Sequence, residues 1–312
     1  MSKIITVVGA TGTQGGSVVA ALHDLSDQRY TIRAITRNPS GAAAQSLLGK
    51  NIEVTKADLH DLSSLISAFK GSYAVFAVTN FFENLSTHGI EGAMELETKA
   101  GINLAKAAAA TETLKHYVWS TLPDSKTNSR GRNTVPYYES KNTVDRYIRS
   151  VPELLQKTTF VWLGWVCAFD ETGGRNYVTF LGVDPATKVP LLGDERVNAG
   201  LFVKAILEQP EKTLPGKTVS AVLEQRTFGD VVEAFGKAKG VQARAVKIDR
   251  EVYMALWPVW GNVLDISHAY FEDADGSAFT AKDGEEVLTK EDLGVDGLAR
   301  IEEAFEKVPL LG

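Results

Sequence analysis

The residues of this sequence whose types and spacing could do chemistry fall in two places. Gly9-Ala10-Thr11-Gly12-Thr13-Gln14-Gly15 sets glycines where a chain must turn tightly off a strand (Gly9), leave its backbone open to a pyrophosphate (Gly12) and let a helix pack close to a sheet (Gly15). The N–H groups that open such a helix lack partners of their own, and its positive dipole end faces the same point, so the turn suits an anionic phosphate. The second place is Tyr137-Tyr138-Glu139-Ser140-Lys141. Residues four apart on a helix share a face, about one turn apart, which sets a lysine beside a tyrosine. A nearby cation lowers a phenol's pKa and makes it a candidate acid or base. Alternative roles stay open: Tyr137 as a packing aromatic next to Pro136, Tyr138 as a substrate-facing residue, and Lys141 as a surface helix lysine.

These residues need elements to hold them. The β-branched run at 3–8 precedes the glycine turn and a helical run at 17–22 follows it. Further strands are expected at 30–36, 51–56, 74–79, 116–120 and 158–163, with helices at 41–49, 62–69, 90–110 and 137–150. The stretch 74–79 is almost wholly apolar, as a parallel strand buried on both faces should be. The alternation predicts an α/β fold, a Rossmann-type doubly wound parallel sheet with a smaller, interleaved C-terminal substrate domain. The expected dinucleotide-binding part is 1–165, with 195–225 returning to it. The expected smaller part is 166–194 and 226–312, lying over the carboxyl ends of the strands, where open parallel sheets bind ligands. Within the second half, helices are expected at 197–207, 228–239, 252–260 and 298–305, and strands at 217–223 and 244–248.

An NAD site usually carries Asp or Glu at the end of the second strand, to accept from the ribose 2′-OH. Thr36-Arg37-Asn38 stands there instead. A guanidinium attracts a 2′-phosphate through charge-assisted hydrogen bonds, which favours NADP(H) over NAD(H); the alternative is a solvated arginine in the turn before Pro39. Asp58, after the third strand, is placed to contact an adenine ring or to cap the helix that follows.

Gly9 to Ser17, Thr36-Arg37-Asn38-Pro39 and Val78-Thr79-Asn80-Phe81-Phe82-Glu83 together resemble the NmrA-like branch of the atypical short-chain dehydrogenases, over most of the first 165 residues. That branch contains fungal nitrogen-repression regulators and an NADP(H)-sensing animal protein, and it is similar to reductases of plant isoflavonoid and lignan metabolism. The resemblance implies a Rossmann domain, a small C-terminal domain and a cleft between them. It implies that Thr11, Gly12, Thr13 and Gln14 touch the pyrophosphate, that Arg37 and Asn38 hold the 2′-phosphate, that Asp58 and Leu59 border the adenine, and that Thr79, Asn80 and Phe81 border the ribose and nicotinamide. It further implies that Lys141 holds the ribose hydroxyls, that Tyr137 gives or takes the carbonyl proton, and that Ser120 or Thr121 orients the substrate oxygen. Sensor members keep the lysine but generally lack the tyrosine four residues before it, and here this chain departs from them.

Phe81, Trp165 and Trp257 fall in segments expected over the strand ends, and an aromatic cleft suits a flat or polyketide-like carbonyl substrate. Two functions are therefore expected: an NADPH-dependent reductase of an aromatic or polyketide-like carbonyl or enone, or an NADP(H)-sensing regulator that acts on a protein partner without chemistry. A net charge of −6 over 312 residues gives no basic footprint for nucleic acid. No apolar run is long enough to span a membrane, and no signal-peptide pattern opens the sequence. The single cysteine, Cys167, excludes an intramolecular disulfide, and its apolar neighbours suggest a buried, inert thiol. The five histidines show no metal-ligand spacing. A cytosolic, metal-free protein is expected.

Overall fold

The strands are β1 (Lys3–Val8), β2 (Tyr30–Thr36), β3 (Glu53–Lys56), β4 (Ala74–Ala77), β5 (His116–Thr121), β6 (Thr158–Leu163), β7 (Asn176–Leu181), β8 (Lys188–Leu191), β9 (Thr218–Ala221), β10 (Glu224–Thr227), β11 (Gln242–Lys247) and β12 (Val287–Leu288). They come from a computed structural model that describes all residues except 1, 24, 26–28, 166–175, 281–284 and 308–312. Eight strands form one sheet in the order β12-β9-β6-β5-β4-β1-β2-β3. Every pairing in it is parallel. The chain runs outward from β1 to β3, then returns to lay β4 on the other side of β1. That reversal leaves a crevice at the carboxyl ends of β1 and β4. The fold class is the one the sequence predicts, and β4, β5 and β6 are buried along their whole length.

Helices cover both faces. On one face, Thr13–His23 packs beside Glu195–Glu208, and Val18, Leu22, Phe202 and Val203 share a core with β1. The two helices are nearly in backbone contact: a Cβ on Gly200 would lie 2.2 Å from the Ser17 carbonyl oxygen. Ser17 Oγ donates to Val197 O at 3.0 Å and accepts from Gly200 N at 2.8 Å. On the other face lie Leu62–Phe69, Phe82–Ala109 and Pro136–Arg149. A second core, around Phe228, Phe235, Tyr270 and Phe271, lies beneath the β8–β10 and β7–β11 pairs.

Three expectations about elements are corrected. The helix expected from residue 90 begins at Phe82 and bends at Gly89, which has φ 66° and ψ −174°. The helix expected at 252–260 ends at Leu256, and a fifteen-residue helix, Trp260–Ala274, follows. Between them Pro258 and Val259, the latter at φ 72°, redirect the chain. The stretch 226–312 does not stay outside the sheet, because Val287–Leu288 pairs with β9, whose outer edge would otherwise be open. Cys167 lies outside the described residues.

Candidate functional site

The glycine turn has the geometry its spacing implies. Gly9 adopts φ 68°, and the Gly12 N–H donates to Gly9 O at 2.8 Å. A Cβ on Gly15 would lie 2.3 Å from Gly9 O, so the helix passes the turn only because that atom is missing. A Cβ on Gly12 would stand 3.3 Å from the same oxygen, a tight contact, and Thr11, Gly12 and Thr13 are exposed. The opening N–H groups of Thr13–His23 thus border an accessible cradle that fits a pyrophosphate.

At the end of β2, Arg37 is exposed, with Nη1 2.5 Å from Glu83 Oε1. Asn38 is exposed too, and its Oδ1 accepts from Ser40 Oγ at 2.8 Å. Asp58 does not cap the following helix: Asp61 does, accepting from the N–H groups of Ser63 and Ser64. Asp58 Oδ1 accepts instead from His60 N, closing its own turn beside Leu59, whose carbonyl accepts from Asn103 Nδ2. The helix cap falls three residues later because the chain makes this extra turn first.

A cavity of about 850 Å³ opens at the carboxyl ends of β4, β5 and β6, and Gln14 of the glycine turn reaches it. Tyr137 and Lys141 both line it. The Lys141 ammonium donates to Thr79 O (3.1 Å) and Thr79 Oγ1 (2.9 Å) and pairs with Glu97 Oε1 at 3.0 Å. These are three acceptors for its three N–H groups. Glu97, which the sequence reading missed, is buried and also accepts from Thr79 Oγ1 and Ser140 Oγ. The Tyr137 hydroxyl is 2.8 Å from Ser267 Oγ, and its ring packs on Phe82 and Tyr138. Burial pushes the Tyr137 phenol up, against the pull of hydrogen bonds from Ser267 and Tyr138. Lys141 is therefore held by Thr79 and Glu97, and the expected lowering of the Tyr137 pKa does not appear. Phe81, though buried, lines the cavity too, and Asn80, exposed at the cavity, accepts from Phe82 N.

Ser120 and Thr121 both reach the cavity with their protons committed. Ser120 Oγ donates to Gln14 Oε1 at 3.0 Å, which turns the Gln14 amide toward Glu195. Burial pushes the Glu195 carboxyl up. Thr121 Oγ1 donates to Asp145 Oδ2 at 2.9 Å, and Asp145 also accepts from Trp119 Nε1; burial pushes Asp145 up to about 7. Both hydroxyls thus point to acceptors within the protein, Ser120 to Gln14 and Thr121 to Asp145.

The far walls are aromatic. Trp165 lines the cavity, its ring edge-on to Phe228 at 5.4 Å, and Tyr138 is buried against Tyr137. Trp257 is displaced from the expected position: it is 43% exposed, packs on Tyr253 and does not line the cavity. The break at Pro258–Val259 turns it outward and brings in Trp260, stacked at 9° on Phe82 with ring centres 5.2 Å apart. Glu195, Trp260, Leu264, Ser267 and His268 are site residues the sequence reading missed, four of them on the helix it did not find. Among the described residues no group of His, Cys, Asp and Glu could hold a metal, and no helix is long and apolar enough to cross a membrane.

Residues 1–305 match the NmrA-like family. The chain belongs to that family. An NmrA-like family domain-containing oxidoreductase of Aspergillus campestris, cpsB, is 30% identical over 276 residues, 83% of this chain and 77% of that protein. Among solved structures, the negative transcriptional regulator NmrA in complex with NADP has a TM-score of 0.68 at 20% identity, covering 98% of this chain and 95% of that one. The Citrobacter sp. triphenylmethane reductase complexed with NADP(H) has a TM-score of 0.66 at 17% identity, covering 98% of this chain and 99% of that one. The NmrA-like fold thus carries both a regulator and a reductase.

Proposed function

We propose that this NmrA-like chain is an NADPH-dependent reductase of small aromatic or polyketide-like carbonyl or enone substrates, of the atypical short-chain dehydrogenase type. The observation that carries the reading is the convergence of Tyr137 and Lys141 on one aromatic cavity that reaches the glycine turn. The turn fits a dinucleotide pyrophosphate, and bound NADPH supplies a hydride. The preference for NADP(H) rests on Arg37, whose exposed pair with Glu83 contributes about 0–1 kcal/mol and yields readily to a 2′-phosphate. The oxidoreductase cpsB and the Citrobacter reductase support the class of activity.

Tyr137 is the proton donor. A phenol is protonated at neutral pH, as an acid must be, and Ser267 holds the Tyr137 hydroxyl until a substrate oxygen takes the bond. Lys141 exchanges one of its three bonds for a ribose hydroxyl while Glu97 keeps it in place. Ser120, whose hydroxyl donates to Gln14 Oε1 at 3.0 Å, orients the substrate oxygen by turning that hydroxyl toward it. Residues 1–165 with 195–225 and the strand Val287–Leu288 form the cofactor half in this reading, and residues 176–194 and 226–280 wall the cleft.

The test is NADPH consumption with a panel of aromatic ketones and enones. Tyr137→Phe should lower turnover about 10²- to 10⁴-fold with NADPH affinity unchanged. No consumption across the panel, or full activity in Tyr137→Phe, rejects the reading. A second reading, an NADP(H)-sensing regulator with a protein partner, draws on the Tyr137–Ser267 bond, which leaves the phenol engaged within the protein.

A further inference from the structure

The helix Trp260–Ala274 sends Trp260, Leu264 and His268 into the cavity, at positions i, i+4 and i+8. This spacing makes a stripe along one helix face, and at 1.5 Å per residue it is about 12 Å long. The stripe runs from outside to inside: Trp260 is 39% exposed, Leu264 is half-buried and His268 is 5% exposed. Its outer end is a flat aromatic surface, since Trp260 lies parallel to Phe82. Its inner end is polar in an apolar surround. The His268 ring meets Phe228 edge-on at 4.7 Å and Tyr253 at 6.2 Å.

The described residues supply no hydrogen-bond partner for His268 Nδ1. A buried polar atom left unpaired is costly, and native interiors keep few of them. Burial lowers the imidazole to about 4, so at neutral pH it is uncharged and carries one N–H and one lone pair. A half-turn of the ring about its Cβ–Cγ bond exchanges Nδ1 with a carbon, so either edge can present a nitrogen to the cavity.

We infer that His268 is a specificity residue that hydrogen-bonds an oxygen at the inner end of an elongated, flat, multi-ring ligand lying along the Trp260–Leu264–His268 stripe. The inference rests on the aromatic-substrate part of the proposed function and narrows it: the ligand carries a hydroxyl or carbonyl about 12 Å from its outer edge. A ring nitrogen of His268 turned to the cavity discriminates against ligands that offer it no partner.

The experiment is a binding titration with 2-hydroxyanthraquinone and with anthraquinone, followed by tryptophan fluorescence, on the full chain without NADPH. The wild type should bind the hydroxy compound about tenfold more tightly. His268→Phe, which keeps the ring and removes both nitrogens, should abolish that preference and leave anthraquinone affinity unchanged. His268→Gln should retain part of it. Leu264→Trp, which fills the middle of the stripe, should block both compounds. Equal binding of the two compounds by the wild type, no binding of either, an equal loss for both in His268→Phe, or undiminished binding in Leu264→Trp overturns the inference. Bound hydroxyanthraquinone without NADPH consumption across the ketone and enone panel rejects the reductase reading and leaves this one standing.

Discussion

Removing the Glu97 carboxylate should destabilise the fold more than its place in a polar stretch of helix suggests. Its side chain is completely buried, and it faces an ammonium that is itself only 10% exposed. In Glu97→Ala the charge of Lys141 stays buried with only the neutral oxygens of Thr79 to meet it, at 3.1 and 2.9 Å. The Ser140 hydroxyl loses its carboxylate acceptor as well. Stranding one partner of a buried pair costs about 3–5 kcal/mol. That is a large part of a total stability on the order of 5–15 kcal/mol. Lys141→Ala should cost less, because Glu97 keeps two hydroxyl donors. In the double variant no charge is stranded, so its loss should fall short of the sum of the single losses by about 1–3 kcal/mol. Urea unfolding of the wild type and the three variants measures these terms through the midpoint at constant slope. A Glu97→Ala loss under about 1 kcal/mol, or strict additivity in the double variant, would refute the argument that this pair is desolvated and mutually dependent.

Arg37→Ala should weaken NADPH by about 1.5–3 kcal/mol, the loss of charge-assisted bonds, with NADH almost unchanged; titration with both cofactors checks it, and equal losses contradict the assignment. Gly15→Ala should cost about 1–3 kcal/mol of stability, because its Cβ would meet the Gly9 carbonyl at 2.3 Å. Gly12→Ala should instead keep the melting temperature and lose NADPH affinity by calorimetry. His116 and His268 are both held at about 4 by burial, against an unfolded value near 6.5. Their contribution is complete above pH 6.5 and is lost as pH falls toward 4, by up to about 3 kcal/mol each. Between pH 7 and pH 5, His116→Gln should therefore lose about 2 kcal/mol less stability than the wild type in urea titrations.

Where local pattern decides structure, the sequence was readable. The strand, glycine turn and helix of the first 23 residues follow from β-branched residues, glycine spacing and helix formers in succession, and the Gly15 contact is what that spacing requires. Tyr137 and Lys141 reach one cavity because a single helix carries both. What the sequence did not disclose depends on distant contacts. Glu95-Leu96-Glu97-Thr98-Lys99 reads as a solvated helix face, and only the packing of Phe82–Ala109 against Pro136–Arg149 buries Glu97. The commitment of the Ser120 proton depends on Gln14, 106 residues away. Trp257 and Trp260 are three residues apart, and the turn at Val259 decides which one faces the cavity. Gly261 and Asn262 weaken the start of Trp260–Ala274, and Val259 offers it no side-chain cap, so a helix that supplies three residues of the cavity wall left little local signal.

The interleaved sheet has a consequence for how the chain is made. Synthesis proceeds from the N-terminus, and β6 emerges with β5 on one side and nothing on the other until residue 218 supplies β9. The outer face of Thr13–His23 likewise waits for Phe202 and Val203 to cover it. During that interval the ribosome-bound chain displays an open strand edge and an uncovered apolar stripe, the features that invite pairing with a neighbouring chain. A chain cut at residue 165 would carry both defects permanently. Soluble expression should therefore fall steeply for truncations that remove β9.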